Sequence, residues 1–244
     1  MITELNNSYG LRPYNDKAFV AFVDISGFKS YMKESFNKAS KCLDDFYQIC
    51  FDVILPEDMR KYLDCLVISD CCILIGRIYD DNNGVVQTLE HLLSAIKEIN
   101  INMLRHKWTL TTSVAYGYYK YENRMVFNGI AKEAIIGTAY LNAYLDSASG
   151  EPKLKQGDCR IVLKNNFPTD EIKNIRKDIQ TLINNGTVRK YYRWYLQDDM
   201  SLHKQYETDI KKCRKKYKDG SKYYDEVTKT LCRYAKINFN TEED

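Results

Sequence analysis

Short apolar runs alternate with helical periodicities along the first two thirds of the chain. Lys17 to Val23 (KAFVAFV) is an apolar run bounded by polar residues, which predicts a buried strand ending at Asp24. Gly27 follows three residues later. From Phe28 to Ile54 the apolar positions fall at helical spacing: Phe28, Tyr31 and Met32, then Leu43, Phe46, Tyr47 and Cys50. The polar interval Lys33 to Lys41 divides this stretch into two helices, and Pro56 closes it. Tyr62 to Ile68 and Cys71 to Ile78 are apolar runs separated by Ser69-Asp70, the pattern of a hairpin with a tight turn at the aspartate. Asp80 to Gly84 reads as a loop, and Val85 to Leu104 as an amphipathic helix. Trp108 to Tyr119, rich in Thr and Tyr, predicts a strand, followed by a turn-like region at Glu122 to Asn128. Ala131 to Leu145 predicts a helix, Gly150-Glu151-Pro152 a loop and Cys159 to Leu163 a strand.

From Thr169 onward the periodicity is helical throughout. Four segments are expected, 170–183, 187–200, 201–217 and 223–237, broken at Asn184-Asn185-Gly186 and Asp219-Gly220-Ser221. The order of elements suits a mostly antiparallel sheet with helices on one face, an α+β, ferredoxin-like plan with a helical appendage. The expected division is a catalytic domain over 1–168 and a basic helical C-terminal extension over 169–244.

Composition narrows the class. Of the 244 residues 44% are hydrophobic, enough for a sizeable core, yet no run approaches the roughly 18 apolar residues of a membrane span. Met1 to Gly10 is polar and lacks the apolar region of a signal peptide, which points to a cytoplasmic protein. Eight cysteines lie mostly within apolar runs, without a CxxC pair and with only three histidines to accompany them. That favours reduced, buried thiols over a clustered zinc site. The formal net charge is +3, but residues 189–236 alone carry 14 Lys and Arg against 7 Asp and Glu. Their interleaved aromatics, as in Lys190-Tyr191-Tyr192-Arg193-Trp194-Tyr195, would suit a nucleic-acid strand. An amphipathic helix pair with solvated cations accounts for the same pattern and is preferred.

The candidate chemistry lies at two aspartates. Asp24 ends the first strand and Asp70 occupies the turn of the following hairpin. If that hairpin pairs with the first strand, both carboxylates reach one edge of the sheet. Hard divalent cations take oxygen ligands, and phosphoryl transfer from a triphosphate needs such cations to neutralise charge. The backbone of Ile25-Ser26-Gly27-Phe28 leads straight into a helix and offers amides to phosphate oxygens, with Gly27 permitting close approach. Taken alone, Asp24 also reads as a helix cap; the pairing with Asp70 favours the metal platform.

Phe22-Val23-Asp24-Ile25-Ser26-Gly27-Phe28 resembles the first metal motif of class III nucleotidyl cyclases, and Ser69-Asp70-Cys71-Cys72 resembles the second, 46 residues later. Thr112 to Gly117 (TSVAYG), Gly137 to Asp146 (GTAYLNAYLD) and Cys159-Arg160-Ile161-Val162 are similar to the bacterial antiphage pyrimidine cyclases of the Pycsar system. The resemblance spans roughly residues 17–164. It implies two Mn2+ or Mg2+ ions held by Asp24, the Ile25 carbonyl and Asp70, and a triphosphate lined by Ile25, Ser26, Gly27 and Phe28. It implies attack of the ribose 3′ oxygen on the α-phosphorus, giving a 3′,5′-cyclic monophosphate and pyrophosphate, in a homodimer with composite sites. Leu66 stands four positions before Asp70, where purine cyclases carry a polar base-reading residue. A pyrimidine triphosphate is expected, UTP ahead of CTP, in antiphage signalling. The later helix offers Asn142, but Leu145 stands near the place of the family's transition-state arginine. Arg124, Lys132 and Arg160 are the candidate substitutes. A nucleotide sensor without turnover and a purine cyclase are the alternative functions.

Overall fold

The computed structural model describes residues 11–78, 84–123, 133–164, 167–184, 189–196, 199–217 and 221–237. Its centre is strand β1 (Tyr14–Ile25), flanked on both sides by antiparallel partners. One partner is the hairpin of β2 (Leu63–Ile68) and β3 (Cys71–Arg77), and the other is β4 (Leu110–Asn123). Beyond β4 come β6 (Cys159–Val162), parallel to it, then β8 (Arg189–Tyr192) and β7 (Ile183–Asn184). The order is β2-β3-β1-β4-β6-β8-β7, and β5 (Glu133–Ile136) pairs with the far end of β4.

Alternation along β1 fixes the two faces. Phe19, Ala21, Val23 and Ile25 point into the larger core, while Ala18 and Val20 point into a smaller one. On the larger side lie α1 (Phe28–Glu34), α2 (Phe36–Ile54), α3 (Glu57–Tyr62) and α4 (Gly84–Arg105). On the smaller side α5 (Thr138–Ser149) packs through Ala139 and Ala143, small residues that let the helix approach the sheet closely. Helices therefore cover both faces, not the single face expected. The reason is visible in β1, β3 and β4, whose buried residues include both parities.

Several boundaries differ from the periodicity. The break between the first two helices is confined to Ser35, whose hydroxyl accepts from Lys38 N at 3.3 Å as an N-cap. The polar residues after it lie on the helix's exposed side, so they do not interrupt it. Glu133–Ile136, expected to be helical, is a strand, and the helix starts only after Gly137 (φ 144°), where backbone packs against Tyr118. The C-terminal third is not wholly helical either. Tyr192 is buried in β8, and β7 and β8 extend the sheet, because their aromatic and β-branched residues gain more from the open edge of β6 than from a helix. Two helices close the chain: α7 (His203–Lys216) and α8 (Ser221–Tyr234), the latter burying Val227, Leu231 and Cys232 in the larger core. Between Lys177 and Gln180 runs the short α6. Among the described residues no helix is long and apolar enough to cross a membrane.

Candidate active site

The pairing of β1 with β3 sets Asp24 opposite Cys71, one residue from the hairpin turn at Ser69-Asp70. Ser69 adopts a left-handed conformation (φ 54°), which tightens the turn. Ile25 N–H donates to the Asp70 carbonyl at 2.9 Å, so the two aspartate-bearing turns are bonded directly. Ser26 N–H donates to the Thr109 carbonyl at 2.8 Å, tying the same turn to the start of β4. The expected convergence of Asp24 and Asp70 is thus the observed arrangement, at one end of the central strands. Burial and the charge of Asp70 push the Asp24 carboxyl up to about 6, with Lys29 opposing.

Ile25 buries its side chain in the core, leaving its backbone to face the edge. Ser26 is also buried, and its Oγ has no hydrogen-bond partner among the described residues. Gly27 adopts φ 80° and begins α1. Phe28 is a core residue, so only its backbone can serve a ligand. Two half-buried carboxylates, one with a raised pKa, beside an orphaned buried hydroxyl form a hard-oxygen donor set. That set fits a divalent cation and its phosphate.

This edge opens into a cleft of about 510 Å³. Asp24, Ser26, Gly27 and Thr111 form one wall. Ser147, at the end of α5, and Lys153, Lys155 and Gln156, from the loop after it, form a second. Tyr223 and Tyr224 of α8 complete the enclosure. A Cβ on Gly27 would lie 2.8 Å from the Tyr224 ring, so α8 sits directly on the turn. Gln156 donates through Nε2 to Thr109 Oγ1 at 3.1 Å, while its buried Oε1 is left without a partner among the described residues. The periodicity gave no reason to connect Lys153, Lys155, Tyr223 or Tyr224 with Asp24. The two lysines flanking Leu154 were a usable signal; the tyrosines were not, since they resemble any amphipathic helix face.

The other candidates separate. Leu66 lies on β2 opposite Ile73 and packs against the smaller core with Phe22 and Tyr140, and Asp24 shares that face by its even position in β1. Asn142 has a buried Nδ2 with no partner among the described residues, and Leu145 is exposed. α5 lies close to the Asp24 end of β1. Tyr144 meets Phe22 ring to ring at 5.5 Å, and Ser147 lines the cleft. Arg160 is fully buried and bound to Asp146, Nε to Oδ2 at 2.7 Å and Nη2 to the carbonyl at 3.0 Å. Its Nη1 also donates to the Pro152 carbonyl. It braces the cleft loop from inside and is not available to a transition state. Arg124 and Lys132 lie outside the described residues. In the basic segment Tyr192, Trp194 and Tyr195 are buried, and Arg193 pairs with Asp158 at 3.2 Å. Those aromatics build core and are not presented for stacking on bases.

Neither a protein-family model nor a curated protein sequence matches the chain. Solved structures do. The adenylyl cyclase CyaB from P. aeruginosa superposes with a TM-score of 0.51 at 17% identity, over 74% of this chain and 95% of that one. The guanylate cyclase domain of RhGC from Catenaria anguillulae, in complex with GTP, gives 0.51 at 12% identity, over 74% and 97%. A bacterial light-regulated adenylyl cyclase gives 0.55 at 14% identity, over 92% of this chain and 59% of that one. The chain therefore has the fold of adenylyl and guanylyl cyclase domains: a mixed α+β layer around a mostly antiparallel sheet.

Proposed function

We propose that the protein is a nucleotidyl cyclase acting on a pyrimidine nucleoside triphosphate, UTP ahead of CTP. The observation that carries this reading is the meeting of Asp24 and Asp70 at one end of the central strands, joined by the 2.9 Å bond from Ile25 N to the Asp70 carbonyl. Two Mn2+ or Mg2+ ions, held by Asp24, the Ile25 carbonyl and Asp70, would neutralise the triphosphate and lower the pKa of the ribose 3′ hydroxyl. The chain's own groups do the rest. Backbone amides of Gly27 and Phe28 and the buried, unpartnered Ser26 hydroxyl hold phosphate oxygens, while the Ser26 amide stays bonded to the Thr109 carbonyl. Lys153 and Lys155 bring positive charge to the same cleft. The unpartnered Asn142 Nδ2 is a donor awaiting an oxygen. Closure of the 3′ oxygen on the α-phosphorus then releases pyrophosphate and leaves the 3′,5′-cyclic monophosphate.

The choice of base rests on Leu66 and on the Pycsar-like segments, since the structural neighbours act, by their names, as adenylyl and guanylyl cyclases. Leu66 cannot hydrogen-bond a purine edge, and its neighbours in the smaller core, Phe22 and Tyr140, restrict space by shape. The antiphage role rests on the sequence resemblance alone. The eight free cysteines suit a reducing cytoplasm. Residues 1–168 are the catalytic domain in this reading, and 169–244 an extension whose α8 walls the cleft. A homodimer is supported by Leu141, Tyr144 and Leu145, which leave an exposed apolar stripe on α5 at helical spacing.

A second reading, nucleotide binding without turnover, is favoured by the engagement of Arg160 with Asp146 and by exposed Leu145 where an arginine would stand. Incubation with each of the four triphosphates and Mn2+, followed by product mass, tests both. Cyclic UMP as the main product supports the proposal, and a preference for ATP or GTP refutes the base assignment. A rise in melting temperature with Mn2+ and UTP but no cyclic product selects the sensor.

A further inference from the structure

Cys50 of α2, Cys65 of β2 and Cys72 of β3 bring their sulfurs together beneath the hairpin that carries Asp70. All three Sγ atoms lie within 4.8 Å of one another. Cys50 and Cys72 are buried and Cys65 is half-buried on the edge strand. Other thiols of the chain bond to oxygen: Cys71 to the Ile68 carbonyl, Cys232 to the Leu104 carbonyl and Cys213 with Thr230 Oγ1. In the trio, Cys50 Sγ instead donates to Cys72 Sγ across 3.8 Å.

We propose that these three cysteines form a binding site for a soft, thiophilic cation of the zinc, cadmium or monovalent copper class. A metal with bonds of about 2.3 Å to thiolates in a tetrahedral arrangement sets its sulfurs about 3.8 Å apart. The Cys50–Cys72 separation already has that value. The trio's limit of 4.8 Å means that the other separations need to close by at most about 1 Å. The neighbouring thiols of Cys50 and Cys72 push the Cys65 thiol below its ordinary range, in the direction of thiolate. Cys65, partly exposed on the edge strand, is the ligand nearest to solvent. Softness separates this site from the carboxylate edge: thiolates select the soft ion, and carboxylates select Mn2+ or Mg2+. The bound ion would tie α2 to both strands of the hairpin and so steady the turn at Asp70.

The test titrates Cd2+ into the reduced protein in the presence of Mn2+ and follows sulfur-to-metal charge-transfer absorption in the ultraviolet. One equivalent should bind, raise the melting temperature and protect Cys65 from alkylation, as read by mass. Cys65→Ser should lose the absorption and the thermal shift while keeping the parent's circular dichroism, and Cys213→Ser should keep both. If Cys65→Ser does not fold, Cys65→Ala and the alkylation of the parent decide the question. Absence of sulfur-linked absorption in the parent overturns the proposal. So does binding that survives the loss of Cys65, or a Cys50–Cys72 disulfide that returns in place of metal uptake.

Discussion

Burial, with the charge of Asp70 nearby, disfavours the Asp24 carboxylate, and that cost can be read without any ligand. The Asp24 carboxyl rises from 3.8 to about 6 on folding. A native state that binds its proton more tightly than the unfolded chain loses stability as pH rises through this window and carries the full penalty above it. Asp24→Asn should therefore stabilise the metal-free protein at pH 7, by on the order of 1–3 kcal/mol, and make no difference near pH 4. Asp64 is also pushed to about 6 by burial, but it titrates alike in both proteins. The difference in melting temperature between parent and variant, measured across pH, isolates Asp24. A constant difference would show that the carboxylate is not strained.

Gly27 offers a second residue-scale test. At φ 80° a Cβ costs about 1 kcal/mol, and here it would also strike the Tyr224 ring at 2.8 Å. Gly27→Ala should destabilise by roughly 1–3 kcal/mol, and Tyr224→Ala in the same chain should recover the steric share. Urea unfolding of the two single variants and the double variant checks this. Strict additivity would mean that α8 does not sit on the turn.

At the scale of elements, the hairpin, β1 and α4 were legible because one physical signal dominated each: an unbroken apolar run or a clean helical stripe. The meeting of the Asp24 and Asp70 turns was legible for the same reason, since the two residues follow such runs. What failed was wherever tertiary context overrode local pattern. Glu133–Ile136 reads as helix by its neighbours, yet it pairs with β4, and Tyr191–Tyr192 joins β6. The rest of the cleft was hidden because Lys153 and Tyr224 are far from Asp24 in sequence and are brought there by packing.

Arg160 is the instructive error of role. A cation in the strand that follows the cleft loop invites a catalytic assignment, but its guanidinium is consumed by Asp146 and the Pro152 carbonyl. Breaking such a buried pair costs about 3–5 kcal/mol. Arg160→Leu should accordingly lower the melting temperature sharply, whereas a transition-state arginine would lose turnover with the fold unchanged. Calorimetry alongside the cyclase assay distinguishes the two.

For the whole molecule, the exposed stripe of Leu141, Tyr144 and Leu145 on α5 is the surface expected to meet a second copy. Leu141→Glu combined with Leu145→Glu should leave the monomer's melting curve close to the parent's and shift its sedimentation to the monomer. If turnover depends on composite sites, activity should fall with the dimer. A parent that sediments as a monomer at high concentration with full activity contradicts this assembly.

The most direct test of the central claim measures pyrophosphate release from UTP and Mn2+ by the parent, Asp24→Asn and Asp70→Asn, with melting temperature recorded on the same samples. All three should fold, and only the parent should turn over. Activity in the variants should fall by orders of magnitude, and UTP with Mn2+ should raise the melting point of the parent far more than theirs. A folded Asp70→Asn protein that retains cyclase activity would contradict the two-carboxylate site.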